Sequence, residues 1–362
     1  MYIIDAHQDL AWNMITFGRD YSLSTEEIRQ AELGTITPTI NGDTLLGWPD
    51  FQKGRVAIIF ASLFASPIRH KQGEWEKLCY TDISQAIAIY SQQIDTYHRL
   101  CETHPDKFNL IRTQDELNNI IDHWKNIDQP SHPVGLVISM EGAEAVRTPA
   151  ELEDWWNRGV RLIGPAWAGT RFCGGTREPG PLTKEGYTLL EGMSSWGYTL
   201  DISHMDEIAA LQALDEYPHQ VIASHSNAAS LLNGVDNNRF LSDRLIQGLI
   251  ERNGIIGIIP FNHFLRWEWS PADGRQAVSL LDVVAQIDYI CQMAGDAHHV
   301  GIGSDFDGGF GLQSVPVEID SIADLRKIIP LLEERGYTED DIAAIMGENW
   351  LSLLQQTLPE YL

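Results

Sequence analysis

Short apolar runs rich in valine, isoleucine and leucine alternate along this chain with longer segments whose apolar positions recur at helical spacing. Eight runs read as strands: Tyr2 to Asp5, Val56 to Phe64, Val134 to Ser139, Val160 to Pro165, Tyr198 to Ile202, Gln220 to Ala223, Ile255 to Pro260 and His299 to Gly303. Between them the periodicity predicts helices, among them Asp82 to Glu102, Thr148 to Asn157, Lys184 to Trp196, Ser242 to Asn253 and Leu280 to Ala294. Runs such as VAIIFASLF, VGLVISM and GIIGIIPF are apolar at nearly every position, as strands buried on both faces of a parallel sheet must be. Strand followed by helix throughout predicts an α/β fold closed into a (β/α)8 TIM-type barrel. An open doubly wound sheet is the rival, but no G-x-G-x-x-G follows the first strand and no P-loop occurs. The tail from Ser321 to Leu362 reads as wholly helical, with Arg335, Gly336 and Tyr337 between two helices and Thr338 capping the second. Without linker, repeat or low-complexity tract, residues 1–362 are expected to form one domain, with 321–362 packed on the barrel.

Chemistry enters where the strands end. His7 and Asp9 follow YIID, Glu141 follows LVISM, His204 follows TLDIS, His225 follows VIAS and Asp305 follows GIGS. All C-terminal strand ends of such a barrel meet at one face, so residues this far apart in sequence would converge. The i, i+2 spacing of His7 and Asp9 turns an imidazole and a carboxylate the same way. Singly, each residue has an ordinary reading: a surface turn for H-x-D, a helix-capping carboxylate for Glu141 or its neighbour Glu144, a satisfied half-buried histidine for His204 and His225. In the segment GSDFDGG either Asp305 or Asp307 could face the site while the other serves the loop backbone. Together, the H-x-D pair, the strand-end glutamate and the two histidines supply five ligands, enough for two ions about 3.5–4 Å apart with room for water. Nitrogen and carboxylate donors without thiolate favour zinc, with manganese, iron or cobalt as substitutes.

These motifs resemble those of the membrane (renal) dipeptidases and their bacterial relatives. DAHQDL looks like that family's D-x-H-x-D opening, SMEGAEA like its S-x-E-G segment, DISHMD and ASHSNA like its two histidine motifs, and GIGSDFDGG like its G-x-G-x-D-F-D-G motif. The resemblance runs through essentially the whole chain. It implies a (β/α)8 barrel with two Zn2+ per chain that cleaves dipeptides, some with a D-residue at the C-terminal position. His7 and Asp9 would hold one ion, His204 and His225 the other, and Glu141 would bridge them. Asp305 would be the acid/base, acting beside a water that two zinc ions acidify to a pKa of about 7 from 15.7 in bulk. Arg239, in NNRFLSD, matches the arginine that grips the substrate carboxylate, its bland reading being a surface residue opening the next helix. One departure stands out. Where mammalian members carry a histidine near the oxyanion, this chain has Trp167, whose indole donates one hydrogen bond but carries no proton at neutral pH.

Trp167 and the loops Asn41 to Pro49 and Ser66 to Tyr80 keep a second reading open, a hydrolase of N-acyl amino acids, lactams or lactones on the same scaffold. A third, a catalytically silent homologue, is disfavoured because all six site residues are present. Composition narrows the partners. Lys and Arg total 25 against 51 Asp and Glu, a net charge of -26 that repels nucleic acid and anionic membranes. Four scattered cysteines without a CxxC pair, an N-terminus without a signal-peptide pattern and the lack of a long uncharged apolar stretch point to the cytoplasm. The expected partner is a dipeptide or other small molecule, and a homodimer is the resembled family's habit.

Overall fold

The computed structural model describes residues 1–362 apart from Ile127, Asp236 and Leu362. Eight parallel strands form the barrel: β1 (Ile3–Gln8), β2 (Val56–Phe64), β3 (Val134–Glu141), β4 (Val160–Gly164), β5 (Thr199–Asp201), β6 (Val221–Ile222), β7 (Ile256–Ile258) and β8 (Val300–Ile302). Every predicted run overlaps one of them, with β1 running three residues and β3 two residues beyond the predicted ends. Their order is β6-β5-β4-β3-β2-β1-β8-β7. An isolated parallel bridge between Ala223 and Ile256 joins the two ends, with the Gly257 amide donating to the Ala223 carbonyl at 2.8 Å. The chain forms this barrel because its strands bury both faces: eight of the nine residues of β2 are inaccessible to solvent. Each large aliphatic side chain so buried contributes about 1.5–3 kcal/mol.

Closure at the β6–β7 seam needs glycine. A Cβ on Gly257 or Gly303 would stand 1.8 or 1.9 Å from the Ser224 carbonyl oxygen, so both positions exclude any side chain. The Ser224 backbone, immediately before His225, is thereby seated against two neighbouring strands.

The helices start where the sequence supplies capping groups. Asp82 accepts from the Gln85 amide ahead of Ile83–Thr103, Thr183 from Gly186 ahead of Lys184–Trp196, and Ser242 from Leu245 ahead of Asp243–Glu251. Thr338 and Asp341 form the reciprocal capping box that opens Glu339–Ala343. The C-terminal segment is helical as far as Thr357, so the residues from Leu358 to Tyr361 depart from the wholly helical expectation, and Leu362 lies outside the described residues. It packs on the barrel through Trp350, whose indole donates to the Ile302 carbonyl at 3.0 Å and meets Phe60 edge-to-face. A short strand that the pattern did not reveal, Phe108–Leu110, extends the sheet alongside β3.

Candidate metal centre

The six strand-end residues converge. His7 lies within β1 on the same side of the strand as Asp5, Asp9 follows the strand, and Glu141 is the last residue of β3. His204 and His225 follow β5 and β6, and the Asp305 amide donates to the His7 carbonyl at 3.1 Å. Glu141 spans the centre. Its Oε1 lies 2.7 Å from His204 Nε2 and 3.6 Å from His225 Nε2, while its Oε2 lies 3.6 Å from His7 Nε2. His7 Nε2 is also 3.8 Å from Asp9 Oδ1 and 4.0 Å from Asp305 Oδ1. The donor atoms fall into overlapping groups, one of Glu141, His204 and His225 and another of His7, Asp9 and Glu141. A third group joins Asp305 to His7 and His225.

Hydrogen bonds behind these residues fix which atoms face inward. Asp201, at the end of β5, accepts from the Ser203 amide and hydroxyl at 3.0 and 2.6 Å and from the Ser224 amide at 3.0 Å. It also accepts from the Ser224 hydroxyl. With its one proton given to Asp201, Ser224 Oγ must accept from His225 Nδ1, 2.7 Å away, which leaves Nε2 as a bare lone pair turned into the centre, 2.9 Å from His204 Nε2 and 3.6 Å from Glu141 Oε1. Thr176 Oγ1 meets His204 Nδ1 at 3.0 Å, Ser62 donates to Asp9, and the Tyr90 hydroxyl donates to the Glu141 carbonyl at 2.6 Å.

The charge balance calls for a cation. Asp9, Glu141 and Asp305 crowd one buried volume, and both ring nitrogens of His7 lack a hydrogen-bond partner. Burial opposes charge on His7, yet Glu141, Asp9 and Asp305 together push its pKa up to about 10. Burial, with Arg239 adding to it, pulls His204 down to about 4, and burial with His7 holds His225 well below its usual range. Burial works against ionisation of Glu141 too, but His204 and His7 hold it well below the ordinary carboxylate range. Burial raises Asp9 to about 6, His7 opposing and Glu141 adding, and lifts Asp305 well above its usual value. The cluster therefore draws positive charge onto His7, a role that divalent cations would fill while leaving all three imidazoles neutral. Three imidazole Nε2 atoms gathered around one shared carboxylate are a donor set that fits metal ions.

The centre floors a pocket of about 330 Å3 whose wall includes Arg239, Trp167, Thr176 and an aromatic belt from Trp12 to Phe310. Arg239 is buried rather than on the surface. It donates to the Ser203 and His225 carbonyls at 3.0 and 2.8 Å and to Ser226 Oγ at 3.0 Å, and its guanidinium stacks over Phe264. Among the described residues no carboxylate pairs with it. The half-buried Trp167 ring lies 5.1 Å from Phe64 and 6.3 Å from His204.

The model of the membrane dipeptidases, peptidase family M19, matches residues 1–359. The chain belongs to the membrane dipeptidase family. A Klebsiella pneumoniae relative, described only as an uncharacterized protein in the pqqA 5' region, is 31% identical over 61% of this chain and 82% of its own length. Dipeptidase ataJ of Aspergillus terreus is 27% identical over 91% of this chain and 81% of its own. Among solved structures, a metallo peptidase from Rhodobacter sphaeroides liganded with a phosphinate mimic of L-Ala-D-Ala superposes with a TM-score of 0.77 at 23% identity, covering 99% of both chains. The probable dipeptidase PvdM of Pseudomonas aeruginosa gives 0.78 at 19% identity, over 99% of this chain and 96% of its own, and both likenesses speak for the barrel fold. As a membrane dipeptidase family member the protein is a metal-dependent hydrolase.

In this dipeptidase-family chain the two aspartates of GSDFDGG divide their work. Both adopt left-handed backbone, with φ of 56° at Asp305 and 65° at Asp307. Asp305 faces the ligands, whereas Asp307 is 0% exposed and turned away. It pairs with Arg19 at 2.9 Å and accepts from Tyr21 at 2.8 Å, Thr44 at 2.5 Å and the Leu45 amide at 2.9 Å. Glu144 likewise leaves the centre, binding Arg171 at 2.8 Å. The orienting residues Ser62, Thr176, Asp201 and Ser224 carry no motif of their own. Only the D-x-S and S-H spacings before His204 and His225 hinted at two of them.

Proposed function

We propose that this chain is a binuclear zinc dipeptidase, accepting substrates with a D-residue at the C-terminal position. The observation that carries the reading is the division of Glu141, one carboxylate oxygen toward His204 and His225 and the other toward His7. In it His7 and Asp9 would hold one ion and His204 and His225 the second, with Glu141 shared between the two groups. Such ions, when bound, polarise a scissile carbonyl and make water acidic enough to ionise near neutral pH.

The remaining work falls to side chains. Arg239 grips the free carboxylate of the dipeptide, its donors held ready by two backbone carbonyls and its charge without a protein counter-ion among the described residues. Trp167 walls the side of the pocket next to His204. Asp305, which burial makes a weak acid, accepts the proton of the attacking water and delivers it to the departing amine nitrogen. The phosphinate mimic of L-Ala-D-Ala in the Rhodobacter sphaeroides structure supports the D-residue part of the reading. Among the described residues no helix is long and apolar enough to cross a membrane. The four cysteines are free thiols, which supports a reducing compartment such as the cytoplasm. We extend the proposal to a homodimer.

The test is a panel of L,L and L,D dipeptides assayed with chelated protein and after zinc is restored. Activity should return as zinc approaches two equivalents. Saturation at one equivalent would overturn the binuclear centre, and cleavage of N-acyl amino acids alone would overturn the substrate.

A further inference from the structure

Glu76 sits on the loop between two short paired strands, Ser66–Pro67 and Cys79–Tyr80, which fasten both ends of the loop to each other. It is only 4% exposed, yet it belongs to the pocket wall together with Trp12, Trp75 and Gln72. One carboxylate oxygen, Oε2, accepts from the Gln72 amide at 2.6 Å, and the Glu76 amide donates to the Gly73 carbonyl at 3.1 Å. Among the described residues no cation pairs with it, since the nearby Lys71 pairs with Glu74 instead. Burying a carboxylate without a counter-charge is costly. Accepting an amide proton is a task that an uncharged glutamine performs as well, so the charge exceeds what the loop requires.

The barrel order says what could bring the missing charge. β2, which leads into this loop, lies four strands from β6, which leads to Arg239, so the two loops rise from opposite sides of the barrel, and both residues line the one pocket that Asp9, Glu141, His204 and Asp305 also line. A dipeptide whose carboxylate meets Arg239 therefore points its N-terminal residue at Glu76. The α-ammonium stays two bonds from the scissile carbon, among Asp9 and its neighbours, whereas Glu76 belongs to none of the ligand groups. A charge on a longer arm is needed. Trp12 and Trp75, edge-to-face at 6.2 Å, offer an apolar wall for a methylene stem below the charged head. The net charge of -26 also draws cationic substrates toward the protein.

We propose that Glu76 and the Trp12–Trp75 wall form a subsite for a cationic side chain, lysine-like or arginine-like, on the N-terminal residue of the dipeptide. The assignment rests on the dipeptidase reading above. Its test compares lysyl-alanine with norleucyl-alanine, equal in stem and differing in charge, on the zinc-loaded wild type and on Glu76→Gln, which keeps the acceptor for the Gln72 amide. The wild type should show at least tenfold higher kcat/KM for the lysyl substrate, and Glu76→Gln should narrow that ratio to below threefold. Equal rates on the wild type, or a variant that slows both substrates alike, would overturn the subsite while leaving the dipeptidase reading intact. Should neither dipeptide be cleaved with either L- or D-alanine at its C-terminus, the dipeptidase reading fails, and calorimetric titration of the same uncleaved pair decides the subsite. Tighter wild-type binding of lysyl-alanine, lost in Glu76→Gln, supports it, and equal binding refutes it.

Discussion

Replacing Asp201 by asparagine should weaken metal binding without touching a ligand. The carboxylate accepts four hydrogen bonds, three of them at Oδ1, and an asparagine whose oxygen takes the Oδ1 place keeps those three. Its amide nitrogen then faces Ser224 Oγ, where the aspartate accepted a proton. Ser224 must now accept from the amide, and its own proton turns to the nearer of two remaining acceptors, His225 Nδ1 at 2.7 Å rather than Ser203 Oγ at 3.2 Å. The imidazole is left with its hydrogen on Nε2, pointing at Glu141 where the lone pair should be. Loss of such an orienting partner costs about 10- to 100-fold in metal affinity, or roughly 1.4–2.7 kcal/mol. Titration of the metal-free variant with zinc against a competing chelator measures this directly, and Ser224→Ala, which removes the relay, should show a loss of the same order. An affinity within twofold of wild type for Asp201→Asn would refute the tautomer argument.

Three further outcomes follow from the same geometry. Asp305→Asn should retain both metal equivalents and lose about 10²- to 10⁴-fold in kcat, the usual reach of general acid–base catalysis; near-normal turnover would remove the acid/base role, and loss of metal would make Asp305 a ligand. His225→Ala should halve the metal content measured by atomic absorption, and two full equivalents would show the ligand assignment wrong. Asp307→Asn should lower stability by about 3 kcal/mol, the low end for breaking a buried ion pair because Arg19 keeps Glu32 at 2.8 Å. A urea midpoint close to wild type would contradict that estimate.

What the sequence disclosed was whatever is local. β2 and β3 are legible because strands buried on both faces leave no polar position to confuse the period, and the convergence of the candidate ligands was legible because each lies at or just beyond the end of such a run. Phe108–Leu110 was not, since only three residues pair and the flanking helices dominate the pattern. Apart from the resemblance, which pointed to Asp305, the residues left the choice between Asp305 and Asp307 open, because the deciding partners, Arg19, Tyr21 and Thr44, lie more than 250 positions away in sequence and reach Asp307 only in the folded chain. For the same reason the sequence could not by itself set the carboxylate-gripping reading of Arg239 above its surface alternative: its burial comes from carbonyls on the loops after β5 and β6. Glu76 lies in a loop whose composition is unremarkable, and only the closure of the barrel sets it across from Arg239.

The centre also couples metal capture to the history of the chain. His7 comes from the first strand and Asp305 follows the eighth, and the two are joined by the amide of one donating to the carbonyl of the other. No ribosome-bound fragment lacking β6 can present both His204 and His225, so the full donor set exists only once most of the polypeptide has been synthesised and the ring has shut. An ion that binds the shut ring and not its precursors stabilises it by mass action. If the centre holds metal as proposed, metal supply would thus bear on how long a newly made molecule survives proteolysis, and the ion would act as a checkpoint on maturation as well as a reagent.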